Sequence, residues 1–517
     1  MNATKIISYE QLPYELQEHI VEVLSASALQ SWSLVNKHAY ILTLRRRYRS
    51  VRFQTPSAAY AFSHHRLHTS LGSPRHVRNA FVNLPSSLSR CDLEKYALAI
   101  QPIPAAALRT FSVHIGNGAT YSSWALPLLL GAESHIRALR VKSRNESWFG
   151  VFDCTTFTQL RSLELRTTNQ VFSAPQYSTL LRVALQCTAK TLTSLDIGHA
   201  TTSTAAELHT SPGLNPLRGF ISQSSLDRAA APHHPHLECL AFRDLDFGSA
   251  EAFDWSIFGA HGPETLRLLQ CYNLAPMLET TMRNLLPTWR DLTALDFVLP
   301  NMRMQTHPAS LAALEDALCC CAAANLGLKH LRVEIPAAGR TPDARAIALH
   351  GNLESLVVGV TDADGRWLPF EADELQTVIE GCMRLQLVGL ILPPVGTDSE
   401  YYLTSLRRLP RLSHVLIAGA AEASRPVYSP AWLHCGPQGT LDAGDLALSA
   451  CRSLGRGPWS SGNITLGVHA GPYYCATWTG ELAFFVADGD DDNGAAARRV
   501  SFGGAALTGP LSRVLLC

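Results

Sequence analysis

The sequence predicts an α/β fold in which a parallel β–α solenoid follows a small N-terminal helical module and precedes a β-rich C-terminal cap. One observation is a six-residue phrase, as in residues 160–165, with apolar residues at its first, fourth and sixth positions. Its second half alternates apolar and polar residues, the period of a strand with one buried face. The phrase occurs eleven times, beginning at Leu108, Ile136, Leu160, Leu192, Leu237, Leu266, Leu292, Leu328, Leu353, Leu385 and Leu412.

The spacing of the phrases is a second observation. Consecutive copies lie about 30 residues apart on average, which is the period of a solenoid. The segments before several phrases have the apolar spacing of helices, among them residues 179–187, 311–322 and 373–384. One such strand cannot bury its apolar side alone, whereas a stack of parallel neighbours can. Residues 108–419 are therefore predicted to form the solenoid.

The N-terminal stretch supplies the third observation. Leu12, Leu16, Ile20 and Leu24 lie four residues apart, as in one apolar stripe of a helix, and Pro13 suits its first turn. A second helix is predicted from residue 29 to about residue 44. Its apolar side is assigned to Leu34, Val35, Ile41 and Leu42.

Composition limits the classes of function. The 517 residues carry 43 basic and 43 acidic side chains, so no global field draws the chain to nucleic acid or to a membrane. No apolar run is long enough to span a bilayer, and residues 1–10 lack the apolar core of a secretory signal. We therefore expect a cytoplasmic or nuclear protein, with its thirteen cysteines reduced.

No motif points to catalysis or to a cofactor. The sequence has no nucleophile elbow, Walker-type phosphate loop, zinc-protease motif or dinucleotide fingerprint. The cysteines at 319–321 lie in an alanine-rich helical pattern, and the histidines at 233–236 lack partners spaced for a metal. Residues 37–91 contain ten lysines and arginines and no acidic residue, but the arginines cluster beside the helical module and then thin out, whereas a nucleic-acid site interleaves charge with base-stacking groups. We expect no enzyme, no metal site and a solvated basic face that steers a partner.

The N-terminal stretch, residues 9–53, resembles the F-box, particularly its fungal versions. The resemblance rests on Leu-Pro-x-Glu-Leu at 12–16, Ser-Leu-Val-Asn-Lys at 33–37 and Tyr-Arg-Ser-Val at 48–51. It implies a helical module that docks on the Skp-type adaptor of a cullin–RING ubiquitin ligase. The turn at 25–28 lacks the acidic residue of many F-boxes, which leaves serine to cap the second helix. By motif position, the adaptor contact would be carried by Leu12, Pro13, Leu16, Ile20, Leu34 and Val35.

The stretch 108–419 resembles a leucine-rich-repeat horseshoe, a family in which a parallel sheet lines the concave face. Asn117 and Asn169 match the asparagine of the standard repeat, but most copies here lack one. The spacing between copies ranges from 24 to 45 residues. The resemblance therefore implies an irregular solenoid with surface insertions, the largest near residues 201–235.

Together the two resemblances imply a substrate-recognition subunit of a Skp–cullin–F-box ubiquitin ligase. The F-box would bind the adaptor, the solenoid would hold an unidentified protein substrate, and ubiquitin transfer would gain from proximity. The alternatives are a ligase-independent leucine-rich-repeat scaffold, with residues 9–53 acting only as a helical cap, and an unrecognised enzyme. Substrate contacts are expected from the residues that point onto the open concave face between the last two apolar positions. They are Arg140, Glu164, Asp196, Gln270, Asp296 and Arg332.

Beyond Arg332 the equivalent positions become apolar, at Val357, Gly389 and Leu416. A solvated strand face does not become apolar in three successive units unless something covers it. The cover is either a hydrophobic partner or the chain's own aromatic-rich tail. Residues 54–107 are assigned to a connector and an N-terminal solenoid cap, with a first strand within 76–84. Residues 420–517 form the C-terminal cap, with a hairpin around 482–502.

Overall fold

A computed structural model gives the structure of the chain. It describes residues 12–64, 73–85, 88–104, 107–115, 129, 133–134, 136–143, 156–157, 159–167, 191–199, 237–243, 262–269, 271, 274–279, 283–299, 308–324, 326–362, 368–392, 397–419, 465–469, 482–488 and 496–500.

The chain divides into two compact units. The first contains the described residues up to 199 and the second those from 237 onward. The division falls within the stretch predicted as solenoid, at the segment that the sequence marks as its largest insertion. That insertion, the helix expected at 179–187, Asn117, Asn169 and the histidines at 233–236 lie outside the described residues.

The first unit begins with a small helical module. Its helices are α1 (Tyr14–Val23), α2 (Ala26–Trp32) and α3 (Lys37–Arg49), followed by α4 (Pro56–His64), a 3-10 turn (Ser73–His76) and α5 (Arg90–Ile100). The single second helix expected from residue 29 to 44 is divided in two. Asn36 takes an extended conformation and its side chain accepts the backbone N–H of Ala39, at 2.7 Å. This N-cap starts α3 anew, and Ser25 caps α2 in the same way, as the sequence indicated.

Strands of the first unit form a parallel sheet in the order β1-β2-β3-β5-β7-β8. They are β1 (Ser50–Phe53), β2 (Asn79–Leu84), β3 (Thr110–Ile115), β5 (Ala138–Ser143), β7 (Ser162–Thr167) and β8 (Ser194–His199). The short β4 (Glu133–Ser134) and β6 (Thr156–Phe157) pair with each other, also in parallel. Parallel neighbours need crossover connections, which the long segments between phrases supply.

The second unit has a parallel sheet of its own. Its strands are β9 (Cys239–Arg243), β10 (Thr265–Leu269), β11 (Ala294–Val298), β12 (His330–Ile335), β13 (Ser355–Val360), β14 (Leu387–Leu392), β15 (His414–Gly419), β16 (Thr465–His469), β17 (Leu482–Asp488) and β18 (Ala496–Val500). Neighbours are parallel from β9 to β16, and β16, β17 and β18 are antiparallel. The antiparallel pairing of β17 with β18 lies where the sequence places a hairpin.

Helices of the second unit lie between its strands. They are α6 (Leu274–Met277), α7 (Arg283–Leu285), α8 (Pro308–Ala323), α9 (Ala344–Ala348), α10 (Ala372–Gly381) and α11 (Thr397–Leu406), with a 3-10 turn at Leu286–Thr288. The cap of α10 is reciprocal, since the Glu371 N–H donates to the Glu374 carboxylate at 2.8 Å. Helix α8 contains the three adjacent cysteines, of which Cys321 is buried and Cys319 exposed.

A recurring pattern of backbone hydrogen bonds links successive strands. The carbonyl of the residue before a strand accepts two N–H groups from the start of the next strand. The Arg109 carbonyl, for example, accepts from Arg137 at 3.0 Å and Ala138 at 2.9 Å. The Glu354 carbonyl in the second unit accepts likewise from Gln386 and Leu387. These bonds satisfy backbone groups at the strand starts where they form.

Candidate functional site

The N-terminal module closes its core with few residues. Val21, Leu29 and Leu42 are buried together, and Leu24 and Trp32 pack against them. The side chain of Gln17 ties α1 to its surroundings. It donates to the Leu12 carbonyl at 2.7 Å and its oxygen lies 2.6 Å from the His38 ring on α3.

Most of the residues predicted to bind the adaptor lie outside this core. Leu34 is 83% exposed, Val35 61% and Leu16 50%, and Pro13 is exposed as well. Leu12 and Ile20 are partly buried. Of the expected apolar side of the second helix, only Leu42 packs in the core, because Leu34 and Val35 lie in the turn between α2 and α3 and Ile41 is exposed. The module thus exposes several large aliphatic side chains that its own core does not use.

The strands of the first unit carry a row of side chains on their second face. Strand register places Arg52, Phe81, Ser112, Arg140, Glu164 and Asp196 side by side. We call these residues the strand-face row. Strands β2 and β3 alternate partly buried and buried residues, so this face remains accessible while the other forms the core.

Charges on this face are paired across strands. Arg140 lies 3.1 Å from Glu164, which also contacts Arg166 at 3.2 Å. Arg166 in turn reaches Asp196 at 2.7 Å. The predicted residues Arg140, Glu164 and Asp196 are thus brought together by the structure, in one network of alternating sign. Charge-assisted hydrogen bonds of this kind hold the side chains in fixed orientations.

The start of the row forms an open cavity of about 540 Å³. The Arg52 guanidinium lies 4.8 Å from the centre of the Phe81 ring there, and Ser112 and Arg140 complete the same wall. The phrases did not predict Arg52 and Phe81, which precede the first phrase at Leu108, and the expected contacts omitted Ser112 because they began with the second phrase. Ser112 occupies the outward position of the first phrase, and that position could have found it.

The equivalent row in the second unit differs from the expectation. Asp296 and Arg332 are buried, and Gln270 lies outside the described residues. Register also assigns the position expected for Gln270 to Arg267, since β10 pairs Leu266 with Leu240 and Leu295. The phrase beginning at Leu266 is therefore out of register by three residues. Residues 266–269 contain three leucines, so the pattern fits both with Leu266 at its first position and with Leu266 at its fourth position.

Buried charges in this row are compensated by one another. Arg267 lies 3.2 Å from Asp296, and Arg332 contacts Glu334 at 2.6 Å. Burial raises the pKa of Asp296, opposed by the nearby Arg267, Arg332 and Arg243. Val357 and Gly389 are buried too, so the apolar positions are covered as the pattern requires; the side chain of Leu416 lies outside the described part. The side chains of Arg140, Glu164 and Asp196 are therefore at least partly exposed to solvent, whereas Asp296 and Arg332 are buried.

Burial affects the acidity of one of the three cysteines of α8 strongly. Burial raises the pKa of Cys321 to about 12, so its thiolate is scarce at neutral pH.

Among the described residues, no group of three or more His, Cys, Asp or Glu side chains is arranged to hold a metal ion. The part of the chain with assigned positions also contains no helix of the length and apolar character that a bilayer crossing needs.

Comparison with known proteins adds no family. No protein-family model matches the chain, and no curated protein matches its sequence.

Proposed function

We propose that this chain is a substrate-recognition subunit of a Skp–cullin–F-box ubiquitin ligase, with the N-terminal module as F-box and irregular leucine-rich repeats as the substrate-binding part. The observation that carries the proposal is the exposure of Leu16, Leu34 and Val35 on a module whose core is complete without them. These are the positions at which the F-box resemblance expects the adaptor contact.

The energetics of docking fit such a surface. Burying one large aliphatic side chain is worth about 1.5–3 kcal/mol, so three of them supply most of the roughly 8 kcal/mol of a micromolar complex. The cost of ordering is low, because Leu34 and Val35 lie between two capped helices. The strand-face row supports the substrate half of the proposal, since its charges are solvated, paired and held on rigid strands.

Co-expression with a Skp-type adaptor tests the proposal. The double variant Leu34→Ala with Val35→Ala should lose adaptor co-purification while its thermal unfolding stays unchanged, because neither side chain packs in the core. A matched control is Leu349→Ala, whose leucine is 60% exposed in the second unit. Co-purification of the double variant with the adaptor at wild-type yield would contradict the F-box assignment.

The ligase-independent scaffold is the second candidate. The accessible strand-face row favours it, since that surface can bind a protein whether or not an adaptor is present. A folded wild-type chain that captures proteins through Arg140 but never an adaptor would replace the first proposal with the second.

A further inference from the structure

The accessible face of the first unit is polarised along the strand-face row. The carboxylates of the row, Glu164 and Asp196, lie on β7 and β8, where Arg166 contacts both of them. Across β1, β2 and β3 the residues on the same face include one arginine and no carboxylate. They are Ser50, Arg52, Asn79, Phe81, Asn83, Thr110, Ser112 and His114. The β1 end of this face is therefore positive.

Arg52 carries this positive charge on the first strand. Its guanidinium lies over the Phe81 ring of the neighbouring strand, 4.8 Å from the ring centre. Among the described residues, the Arg52 side chain forms no hydrogen bond and no ion pair. Because an aromatic ring attracts a cation without occupying its N–H donors, the guanidinium is positioned while its donors stay available to a ligand. A positioned guanidinium matches a carboxylate, which accepts two parallel N–H bonds.

Phe81 is placed as a contact residue rather than as part of the core. The core face of β2 contains Val82 and Leu84, both 0% exposed, whereas Phe81 is half-buried on the opposite face. Its neighbours in register are Arg52 and Ser112, which are both polar. Aromatic rings and arginine are enriched where proteins meet partners, because both combine apolar area with directed polar contacts. Phe81 therefore indicates a ligand that has an apolar group as well as a charge.

Four strands contribute to the cavity of about 540 Å³ at this end of the row, a volume within the range of binding sites. Arg52 and Arg140 line it from β1 and β5. Between them, the Ser112 hydroxyl forms no hydrogen bond with the described residues, and the Asn79 amide donates to the Ser50 hydroxyl at 2.9 Å. The cavity thus has a guanidinium on each outer strand and polar uncharged groups between them.

The spacing of the two arginines selects a length of ligand. Arg52 and Arg140 lie in register on strands that are three places apart in the sheet. At about 4.8 Å between neighbouring strands, their backbone positions are roughly 14 Å apart. An extended peptide advances about 3.3 Å per residue and alternates its side chains between two sides. Side chains four residues apart therefore share one side and span about 13 Å.

We propose that this cavity binds an extended acidic segment of the protein substrate, with two carboxylates four residues apart on Arg52 and Arg140 and an apolar side chain between them on Phe81. The inference rests on the substrate-binding role proposed for the strand-face row, and it adds the class of segment that the row recognises. The Arg140 side chain contacts Glu164 at 3.1 Å and is 63% exposed. Its guanidinium has five N–H donors, so that contact leaves capacity for a second carboxylate.

The surroundings of the two guanidinium groups favour carboxylate over phosphate. Each guanidinium matches a single negative charge, and Glu164 already lies beside Arg140. A phosphate group carries a charge of about −1.5 to −2 and would be repelled more strongly by Glu164 than a carboxylate would. Aspartate and glutamate side chains are therefore the expected anions.

Fluorescence anisotropy with a labelled peptide tests the site. The probe is Gly-Glu-Ser-Leu-Ser-Glu-Gly, titrated with the purified full chain at about 0.15 M salt, where distant charges are screened. Arg52→Gln should weaken binding about tenfold, because it removes a charge-assisted contact, while thermal unfolding stays unchanged at this exposed position. Phe81→Leu should weaken it about threefold, because the ring that positions Arg52 is lost. Arg345→Gln, an exposed arginine of the second unit, is the control and should change nothing.

A second peptide separates the proposed spacing from charge alone. Gly-Glu-Ser-Leu-Glu-Ser-Gly has the same composition, but its glutamates lie three residues apart and point to opposite sides of an extended chain. Only one of them can reach a guanidinium, so this peptide should bind about tenfold more weakly.

The proposal is overturned if the first peptide does not bind wild-type protein with a Kd below about 1 mM. It is equally overturned if both peptides bind alike, if Arg52→Gln binds as wild type, or if a peptide with phosphoserine in place of both glutamates binds best. The titration contains no adaptor. Its failure would therefore remove the acidic segment and leave the ligase role to be decided by adaptor co-purification.

Discussion

The strands of the two units share one sequence phrase but differ in what surrounds their second face. In the first unit, β2 and β3 alternate partly buried and buried residues. In the second unit, β11, β12 and β13 are buried at every position. The apolar positions of the phrase specify a strand and its core face in both units. They carry no information about the opposite face, where burial depends on what packs over it.

Ion pairs show the consequence of that difference. Arg140 and Glu164 in the first unit remain 63% and 29% exposed, so water screens their attraction. Arg332 and Glu334 in the second unit are 7% and 0% exposed. A pair removed from water depends on its partner far more than a solvated pair does, because each lone charge would carry the full desolvation penalty.

Glu334→Gln should cause the largest loss of unfolding free energy among the variants that compare the two units. It removes the carboxylate that the buried Arg332 contacts at 2.6 Å, and breaking a buried pair costs about 3–5 kcal/mol in unfolding free energy. Glu164→Gln in the first unit should cost about 0–1 kcal/mol. Urea denaturation of both variants, with hydrogen exchange over residues 330–335, measures the contrast. Equal losses would mean that the two faces do not differ.

Replacing both partners sharpens the test. Arg332→Met combined with Glu334→Leu keeps the volume and removes both charges, so its unfolding free energy should return close to the wild-type value or exceed it. A double variant as unstable as Glu334→Gln would show that packing around these side chains, rather than an uncompensated charge, explains the loss.

Val357→Ala should be the next largest effect. Val357 is 0% exposed on the second face of β13, and its Cγ1 would lie 3.0 Å from a Cβ added at Gly389. Deleting two buried methyl groups costs about 2 kcal/mol, because transfer and cavity contributions add. Ser112→Ala on the accessible face of β3 should cost less than about 0.5 kcal/mol. Thermal unfolding of the two variants compares the faces. If Val357→Ala unfolds at the wild-type temperature, the second face of β13 is open.

Strand positions were the most predictable part of the fold. Ten of the eleven phrases coincide with their strands in the predicted register, because Leu-x-x-Leu-x-aliphatic marks both the strand start and its buried side. The copy at Leu266 failed because residues 266–269 offer two leucine alignments, and only pairing with Leu240 and Leu295 selects one. The break between α2 and α3 was missed because the cap of Asn36 interrupts a pattern that reads as continuous.

The candidate sites were less predictable, because both depend on contacts between distant residues. Polarity placed Asp296 and Arg332 on a recognition surface, yet pairing with Arg267 and Glu334 lets these charges be buried. The sequence likewise shows a basic stretch at 37–91 but not how its arginines are arranged in space. Only strand register brings Arg109 beside Arg49 and Arg78, which lie far from it in the chain.

Arg140→Glu should affect binding more than stability. The Arg140 side chain is 63% exposed, so losing its pair with Glu164 should cost less than about 1 kcal/mol. Reversing the charge in the middle of the strand-face row should still reduce the capture of a protein partner, since like charges would then face the groups that Arg140 attracts. Arg384→Glu, an exposed arginine of the second unit, is the control. Affinity capture with quantitative mass spectrometry measures the loss. Equal capture by both variants would remove the strand-face row from the recognition surface.

Acid should weaken the second unit through His350, the smallest of these effects. Burial lowers the pKa of His350, although its hydrogen bond to the Leu318 carbonyl at 3.1 Å opposes the shift. Above the unfolded pKa of about 6.5 both states are neutral and the stability is complete. As the pH falls below that value the unfolded chain takes up the proton first, so the unfolding free energy declines until the folded pKa is passed. His414, whose pKa burial also lowers, adds to the decline, and Asp296 opposes it.

His350→Gln keeps an N–H donor for Leu318 and removes the titration. Its unfolding free energy should therefore fall less than that of wild type between about pH 7.5 and about pH 5.5 in urea denaturation. Identical declines would exclude His350 as a source of acid sensitivity.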